Sequence, residues 1–388
     1  MLTKNIVFKN FQKNKDSLKI KNIFKNLKKN IFNKSDRLLM SFSEQYKYSF
    51  KLSEIKKYKK FNTINIVGMG GSARGAEAIY SFLKPKIKKS FFFLNNLNLK
   101  KKIGKSNQLN IFISKSGNTL ETINNFHHFS KINKSIFITE NKNNYLRKIA
   151  KKIKSEIFEH RDFIGGRYSV LSETGMLPAM LMGLNYKKFK RLNYLINNKN
   201  FEKTLISNVS AILNLYKNEK SNSIILNYDE SSQNLFHWYQ QLIAESLGKK
   251  GKGILPVISL APKDNHSLMQ LYLDGTKNNF FTFFLVEDTE TQKLNAKNLF
   301  DSHYYLKNKK SLDILKAQFQ ATQSVFNKRK IPFRSFVIKK RNEETLGELF
   351  TFFMLETIML GKALNINPFD QPEVELIKQE TKKILTTF

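Results

Sequence analysis

The sequence predicts an α/β protein of two domains, each with a parallel-rich sheet flanked by helices, together with helical arms at both ends of the chain. Two observations favour this class. Short apolar runs alternate with helical segments, and the alternation occurs twice along the chain. The 388 residues are also too many for one ordinary hydrophobic core, which favours two domains.

The first fifty residues have the spacing of an amphipathic helix, with apolar side chains such as Phe8, Phe11 and Leu18 between lysines. We therefore assign residues 1–50 to an N-terminal helical arm. The first domain follows over residues 51–195. Its pattern predicts strands over 64–69, 90–94, 109–114 and 135–139, and helices over 72–83, 119–129 and 143–150.

The second domain, over residues 196–345, repeats the pattern of apolar runs and helical segments. Strands are predicted over 223–228, 254–260, 280–286 and 333–338, and helices over 201–216, 235–247 and 312–326. The C-terminal arm takes residues 346–388 and contains two further predicted helices, over 346–364 and 374–385.

The composition is that of a globular protein, with 41% apolar and 13% aromatic residues. The absence of cysteine excludes disulfides and thiolate chemistry, and it suits a cytosolic setting. No apolar run reaches the roughly 20 residues of a spanning helix, and the N-terminal residues lack a continuous apolar stretch. We expect a soluble, unexported, cytoplasmic protein with no membrane partner.

The net charge of +36 has two interpretations. A charge of this size attracts nucleic acid and anionic membranes non-specifically. The lysines are scattered along the whole chain, however, together with abundant Asn, Ile and Phe, which share A/T-rich codons. Compositional bias of the genome is therefore the favoured explanation, and a specific nucleic-acid partner is not expected. The positive field still favours phosphorylated substrates.

Two loops have the residues of a phosphate-binding turn. The first is GMGGSARG (68–75), which ends a strand and opens a helix, so that backbone N–H groups near Gly71 and Ser72 can approach an anion. A dinucleotide site is disfavoured because the spacing is not G-x-G-x-x-G. No Asp or Glu stands between Glu77 and Glu121 to hold a ribose. A plain strand-to-helix turn is the simpler alternative.

The second loop is SKSGNTLET (114–122), which again follows a strand and precedes a helix. Its hydroxyls at Ser114, Ser116 and Thr119 surround Gly117 and can donate hydrogen bonds to a phosphate. The same residues can cap the helix, and this role is compatible with phosphate binding. Two such turns after neighbouring strands resemble the sugar isomerase (SIS) fold, a flavodoxin-like arrangement that holds phosphosugars at the carboxyl ends of its strands.

Four further segments sharpen this resemblance to the glucose-6-phosphate isomerase family. FIGGRYSVLSETG (163–175) is similar to one family signature, and GKALNINPFDQPEVELIK (361–378) is similar to a second. QLIAESLGK (241–249) resembles the segment with the family's catalytic glutamate. DNHS (264–267) with QLYLDGT (270–276) resembles the segment with its histidine. The segments occur in the family's order and span residues 66–378. The resemblance implies a metal-independent aldose–ketose isomerase of sugar phosphates.

The chemistry of such an isomerase requires a base that moves a proton between C1 and C2 through an enediolate. By the resemblance, Glu245 is that base and Gln241 orients the substrate. The two are four residues apart on a predicted helix and therefore face the same side. Arg167 is the matching cation for the negatively charged enediolate.

The remaining family positions fall on His266, Lys378 and Gln371. The resemblance implies that His266 and Lys378 assist ring opening, and that Gln371 orients the substrate. It also implies a homodimer in which the histidine crosses into the neighbouring subunit's site. The other histidines form no ligand-spaced cluster, so we expect neither a metal nor a cofactor; they are His127, His128, His160, His237 and His303.

Three residues depart from the family pattern. Asn118 replaces a common threonine, Glu373 replaces a glycine or alanine, and Arg74 replaces an aliphatic residue after the glycine turn. A bifunctional phosphoglucose/phosphomannose isomerase remains an alternative, because tolerance of the epimer is not visible in the residues. A non-catalytic phosphosugar-binding regulator is a second alternative, although such a protein has no use for Glu245, Arg167 and His266 together.

Overall fold

The computed structural model describes residues 1–11, 16–97, 107–129, 134–295 and 299–387, and these residues form two five-stranded sheets. Their strands are β1 (Ile6–Lys9), β2 (Thr63–Val67), β3 (Ser90–Leu94), β4 (Leu109–Ile113), β5 (Lys134–Thr139), β6 (Glu156–Glu159), β7 (Asn222–Asn227), β8 (Leu255–Leu260), β9 (Asn279–Val286) and β10 (Phe333–Ile338).

Helices cover the sheets and fill the space between them. In chain order they are α1 (Leu18–Phe32), α2 (Arg37–Met40), α3 (Leu52–Lys56), α4 (Gly71–Phe82), α5 (Leu120–Phe129), α6 (Tyr145–Lys152), α7 (Glu173–Leu181), α8 (Leu192–Ile196), α9 (Lys199–Lys217), α10 (Gln233–Leu247), α11 (Met269–Asp274), α12 (Ser311–Lys328), α13 (Glu343–Ala363) and α14 (Glu373–Thr387).

The first sheet is parallel throughout and has the strand order β3-β2-β4-β5-β6. Every residue of β4 is buried, as expected for a parallel strand with helices on both faces. The four strands predicted for this region are confirmed. The edge strand β6 was not predicted, because its four residues begin and end with glutamate and have no apolar run.

The second sheet has the order β1-β10-β9-β7-β8, and β1 is antiparallel to β10. The other strands are parallel, and the four predicted strands of this region are confirmed. The prediction of continuous helix in the first fifty residues is wrong at Ile6–Lys9. These residues are extended because they pair with β10, and α1 begins only at Leu18. A short apolar run does not reveal a strand whose partner lies more than 300 residues away.

The two sheets share one main hydrophobic core. Helix α4 of the first sheet packs against α10 of the second, and α13 packs against α10. Nearly every residue of α13 is buried, although it lies in the predicted C-terminal arm, whereas no residue of α14 is buried. The predicted division after residue 195 falls in the last turn of α8 and stays a prediction.

Candidate active site

Helix α10 presents Gln241 and Glu245 to a cleft between the two sheets. One helical turn separates the two residues, so their side chains lie on the same face. Gln241 Nε2 donates a hydrogen bond of 2.7 Å to Glu245 Oε1. The Glu245 side chain keeps 29% of its surface exposed. Its carboxylate is therefore oriented by the protein and accessible to a ligand.

Arg167 holds the other oxygen of this carboxylate. It lies in a 3₁₀ turn over Gly166–Leu171, and its side chain is 1% exposed. Each of its five N–H donors has an acceptor, which is the full capacity of a guanidinium. The acceptors are Glu245 Oε2 at 3.1 Å, Ser246 Oγ at 2.9 Å, the Pro368 and Asp370 carbonyls at 2.9 Å each, and Gln371 Oε1.

The glycine turn before α4 brings the arginine segment into place. A Cβ on Gly71 would lie 2.2 Å from the carbonyl carbon of Gly166, so this close approach of the two backbones requires glycine at position 71. Gly70 has φ +51°, and a Cβ there would lie 2.7 Å from Gln241 Nε2. The turn thus packs directly against the residue before Arg167 and against the amide that orients Glu245.

The hydroxyl loop follows β4, directly beside this turn. Ser114 Oγ and Thr119 Oγ1 are 2.8 Å apart, and Ser114 Oγ accepts a hydrogen bond of 3.1 Å from the Gly117 N–H. Ser116 is exposed, and Ser72 is half-buried in the first turn of α4. The two loops are neighbours because Gly68 lies against the backbone of Ile113, the last residue of β4. They form adjacent parts of one sheet edge, as the sequence predicts.

A cleft of about 500 Å³ runs along α10 beside these residues. It is lined by Met69, Gly70, Arg74, Asn95, Asn96, His237, Gln240, Gln241, Ala244 and Glu245. Burial lowers the pKa of His237, and the neighbouring charge of Arg74 lowers it further. His237 is therefore neutral near pH 7.

Two predicted site residues lie apart from this group in the described part of the chain. His266 is exposed after β8, and Lys378 is exposed on α14, where it forms an ion pair of 2.6 Å with Glu375. Neither lines the cleft or contacts Glu245 or Arg167 among the described residues. The structure of one chain thus brings together Glu245, Arg167, Gln241 and Gln371, but not the two residues assigned to ring opening.

Sequence reasoning missed several residues that support the site. Lys249 Nζ donates to the Asp370 carbonyl at 2.6 Å and to Asp370 Oδ1 at 2.7 Å, and this contact lowers the pKa of Asp370. Ser246 accepts from Arg167 and lies 3.0 Å from the Tyr168 hydroxyl. Lys249 lies just beyond the C-terminal end of α10, after Gly248, and its closeness in sequence to Glu245 was the available signal. Together these residues fasten the segment before α14 to α10.

Two features are absent from the described residues. They contain no group of three or more His, Asp or Glu side chains placed to hold a metal ion. In the same part of the chain, no helix is both long enough and apolar enough to cross a membrane.

Residues 13–388 match the family model described as phosphoglucose isomerase. A glucose-6-phosphate isomerase of Methanocaldococcus jannaschii is 31% identical over 385 residues, which cover 93% of this chain and 92% of that protein. A glucose-6-phosphate isomerase of Mycoplasmopsis synoviae is also 31% identical, over 82% of this chain and 81% of its own length. These matches extend over nearly the whole chain.

Two solved structures support the fold. A hypothetical protein from Thermus thermophilus superimposes with a TM-score of 0.82 at 24% identity, covering 94% of this chain and 95% of its own. A glucose-6-phosphate isomerase from Chlamydia trachomatis gives a TM-score of 0.68 at 20% identity, covering 86% of this chain and 72% of its own.

Proposed function

This chain belongs to the phosphoglucose isomerase family, and we propose that it interconverts glucose 6-phosphate and fructose 6-phosphate with Glu245 as the base that moves the proton. One observation carries the assignment of the base. The Glu245 carboxylate is held by Gln241 on one oxygen and by buried Arg167 on the other, and it still faces an open cleft. A carboxylate fixed in this way can take a proton from a bound substrate and return it.

The reaction requires one proton to move between two carbons. Removal of the C2 proton from the open-chain aldose by Glu245 leaves a cis-enediolate, whose negative charge is shared by O1 and O2. Return of the proton to C1, with movement of a hydroxyl proton from O2 to O1, gives the ketose. No atom is gained or lost, and the reverse sequence converts ketose to aldose.

Arg167 stabilises the enediolate in this scheme. Its guanidinium is already oriented by backbone carbonyls and by Ser246, so little reorganisation is needed when charge develops. All of its donors are occupied, and Gln371 is exposed. We infer that the substrate oxygen takes over the donor now directed at Gln371, and that the Gln371 amide then turns to a substrate hydroxyl.

The substrate phosphate binds the two adjacent loops in this proposal. Ser114, Ser116 and Thr119 supply hydroxyl groups. The backbone N–H groups of Gly71 and Ser72 lie in the first turn of α4, at the same edge of the sheet. The carboxyl ends of parallel strands are where open α/β sheets bind their ligands.

We propose a homodimer that completes the site with His266. The family resemblance implies that this histidine enters the neighbouring subunit's site, and its exposure outside the cleft that Glu245 lines agrees with that arrangement. Helix α14, which carries Lys378, also exposes several apolar side chains that a second copy can cover; they are Val374, Leu376, Ile377, Ile384 and Leu385.

Subunit complementation tests the shared site. Glu245→Gln and His266→Asn homodimers should each be nearly inactive. Heterodimers formed by mixing them contain one site with both residues intact, so turnover should recover. If the heterodimers form and turnover does not recover, His266 acts within its own chain or not at all, and the shared site is wrong.

The assay that tests the function couples glucose 6-phosphate formation to a dehydrogenase, with fructose 6-phosphate as substrate and EDTA present. Mannose 6-phosphate is tested alongside. Turnover of the glucose pair alone supports the proposal, and turnover of both sugars would establish the bifunctional enzyme instead. Folded protein that binds fructose 6-phosphate without turnover would point to a phosphosugar-binding regulator. We place the activity in the cytoplasm, in glycolysis and gluconeogenesis.

A further inference from the structure

Arg74 is a cation in the cleft that the proposed reaction does not yet use. It lies in the first turn of α4, which begins at Gly71, and lines the same cleft as Gln241 and Glu245. Of the described residues that line the cleft, Arg74 alone is positively charged near pH 7, because His237 is neutral there. The described lining of the cleft therefore contains one carboxylate, Glu245, and one guanidinium.

The donors of Arg74 are largely unused within the described part of the chain. One N–H reaches the His237 carbonyl at 3.5 Å, which is a long and weak hydrogen bond. No carboxylate among the described residues lies within ion-pair distance of its guanidinium. Glu77, one turn further along α4, accepts a hydrogen bond from Asn95 Nδ2 at 3.0 Å. Burial raises the pKa of Glu77, and the nearby charge of Arg74 lowers it, although the two side chains form no ion pair. Arg167, by contrast, has an acceptor for every donor.

Helix stability does not explain this placement. The N-terminus of a helix carries partial positive charge, so a cation in the first turn is unfavourable. An aliphatic side chain, the common residue of the family at this position, avoids that cost. The carboxylate of Glu77 offsets part of this cost without forming an ion pair with Arg74, and a bound anion would offset more of it.

Arg74 and Glu245 line one cleft at different positions along α10. Arg74 lies beside His237, which precedes Glu245 by eight residues on α10, or about 12 Å along the helix axis. An open-chain hexose phosphate with C1 and C2 beside Glu245 can direct its phosphate toward Arg74.

We propose that Arg74, the one cation of the glycine turn at 68–75, binds the phosphate of the sugar phosphate, in addition to the backbone N–H groups of that turn and the hydroxyls of the loop at 114–122. This inference rests on the proposed function for the identity of the ligand. Arginine suits the role because its planar guanidinium can donate two parallel hydrogen bonds to one phosphate. Asn95 and Asn96 line the same cleft and can add amide donors.

Steady-state kinetics of Arg74→Gln test the proposal, with inorganic phosphate as a competitive inhibitor. We expect KM for fructose 6-phosphate and the inhibition constant of inorganic phosphate both to rise about tenfold or more, as for the loss of a charge-assisted hydrogen bond. kcat should stay within about threefold, because Arg74 does not contact the reacting carbons. Arg74→Lys should recover part of the lost affinity.

The matched control is Lys148→Gln, which removes one positive charge from an exposed position on α6 outside the cleft. It should leave both constants unchanged and so exclude an effect of net charge. If folded Arg74→Gln keeps both constants within twofold of wild type, the proposal is wrong. Calorimetric titration of inorganic phosphate tests Arg74 even if wild-type protein does not turn over fructose 6-phosphate. Wild-type protein that binds phosphate through Arg74 but does not turn over fructose 6-phosphate would contradict the proposed function and not the role of Arg74.

Discussion

Arg167 and Arg334 are both almost completely buried, but their carboxylate partners differ. Arg334 on β10 pairs with Glu356 on α13, and both side chains are 0% exposed. Asn208, Thr282 and Tyr239 complete its hydrogen bonds. Arg167 pairs with Glu245, which is 29% exposed and faces the cleft. One ion pair is thus enclosed in the core, and the other is open on its carboxylate side.

Both pairs act on the same helix. Arg167 contacts Glu245 and Ser246 near the end of α10, and the Tyr239 hydroxyl in the middle of α10 donates to Glu356 at 2.8 Å. The closed pair therefore fixes the position of the helix, while the open pair uses that position for chemistry. The exposure of the carboxylate, rather than the burial of the arginine, distinguishes a candidate active site from a structural ion pair.

The largest effect should come from the open pair. Glu245→Gln keeps the shape of the side chain but removes the base, so turnover should fall by about 10³- to 10⁴-fold, or some 4 to 5 kcal/mol of transition-state stabilisation. Coupled kinetics and titration of fructose 6-phosphate measure this, and binding should persist. Near-normal turnover would show that Glu245 is not the base.

The closed pair should affect stability instead. Glu356→Gln leaves Arg334 as a buried charge without a counter-charge, and the free energy of unfolding should fall by about 3 to 5 kcal/mol in urea denaturation. The double variant Arg334→Met with Glu356→Leu should recover much of this loss, because it removes both charges. A loss below about 1 kcal/mol in the single variant would contradict the distinction between the pairs.

Arg167→Ala should lower kcat by about 10²-fold, which corresponds to about 2.7 kcal/mol, with a smaller change in KM. The reason is that Arg167 stabilises the negative charge of the enediolate more than it stabilises the bound sugar. Arg167→Lys keeps the charge but not the fork of donors, so it should recover only part of kcat. A loss confined to KM would make Arg167 a substrate-binding residue.

The smallest effect concerns a fully buried histidine. Burial lowers the pKa of His160 to about 4, and its Nε2 has no hydrogen-bond partner among the described residues. The ordinary histidine pKa is about 6.5, so the unfolded chain binds more protons between these two values. The free energy of unfolding should therefore decrease by about 1 to 3 kcal/mol as the pH falls from about 6.5 to about 4.

Urea denaturation across this pH range measures the effect. His160→Gln should lose less stability on acidification than wild type, whereas exposed His128→Gln should behave as wild type does. If wild type and both variants lose the same free energy of unfolding on acidification, groups other than His160 cause the loss.

Most of the fold was predictable because its central strands are continuous apolar runs. The strands β1 and β6 were not, since each has four residues and lies at a sheet edge. In the candidate site, Glu245, Gln241, Arg167 and Gln371 were named from motif residues. The Pro368 and Asp370 carbonyls that hold Arg167 could not be named, because backbone acceptors leave no trace in residue type.

The most direct test of Glu245 is to run the isomerisation of fructose 6-phosphate in D₂O and follow the proton signals at C1 and C2 by NMR. Wild-type protein should introduce deuterium at these carbons, because a carboxyl proton exchanges with solvent between its removal and its return. Glu245→Gln should bind the sugar and introduce none. Undiminished incorporation by the variant would contradict proton transfer through Glu245.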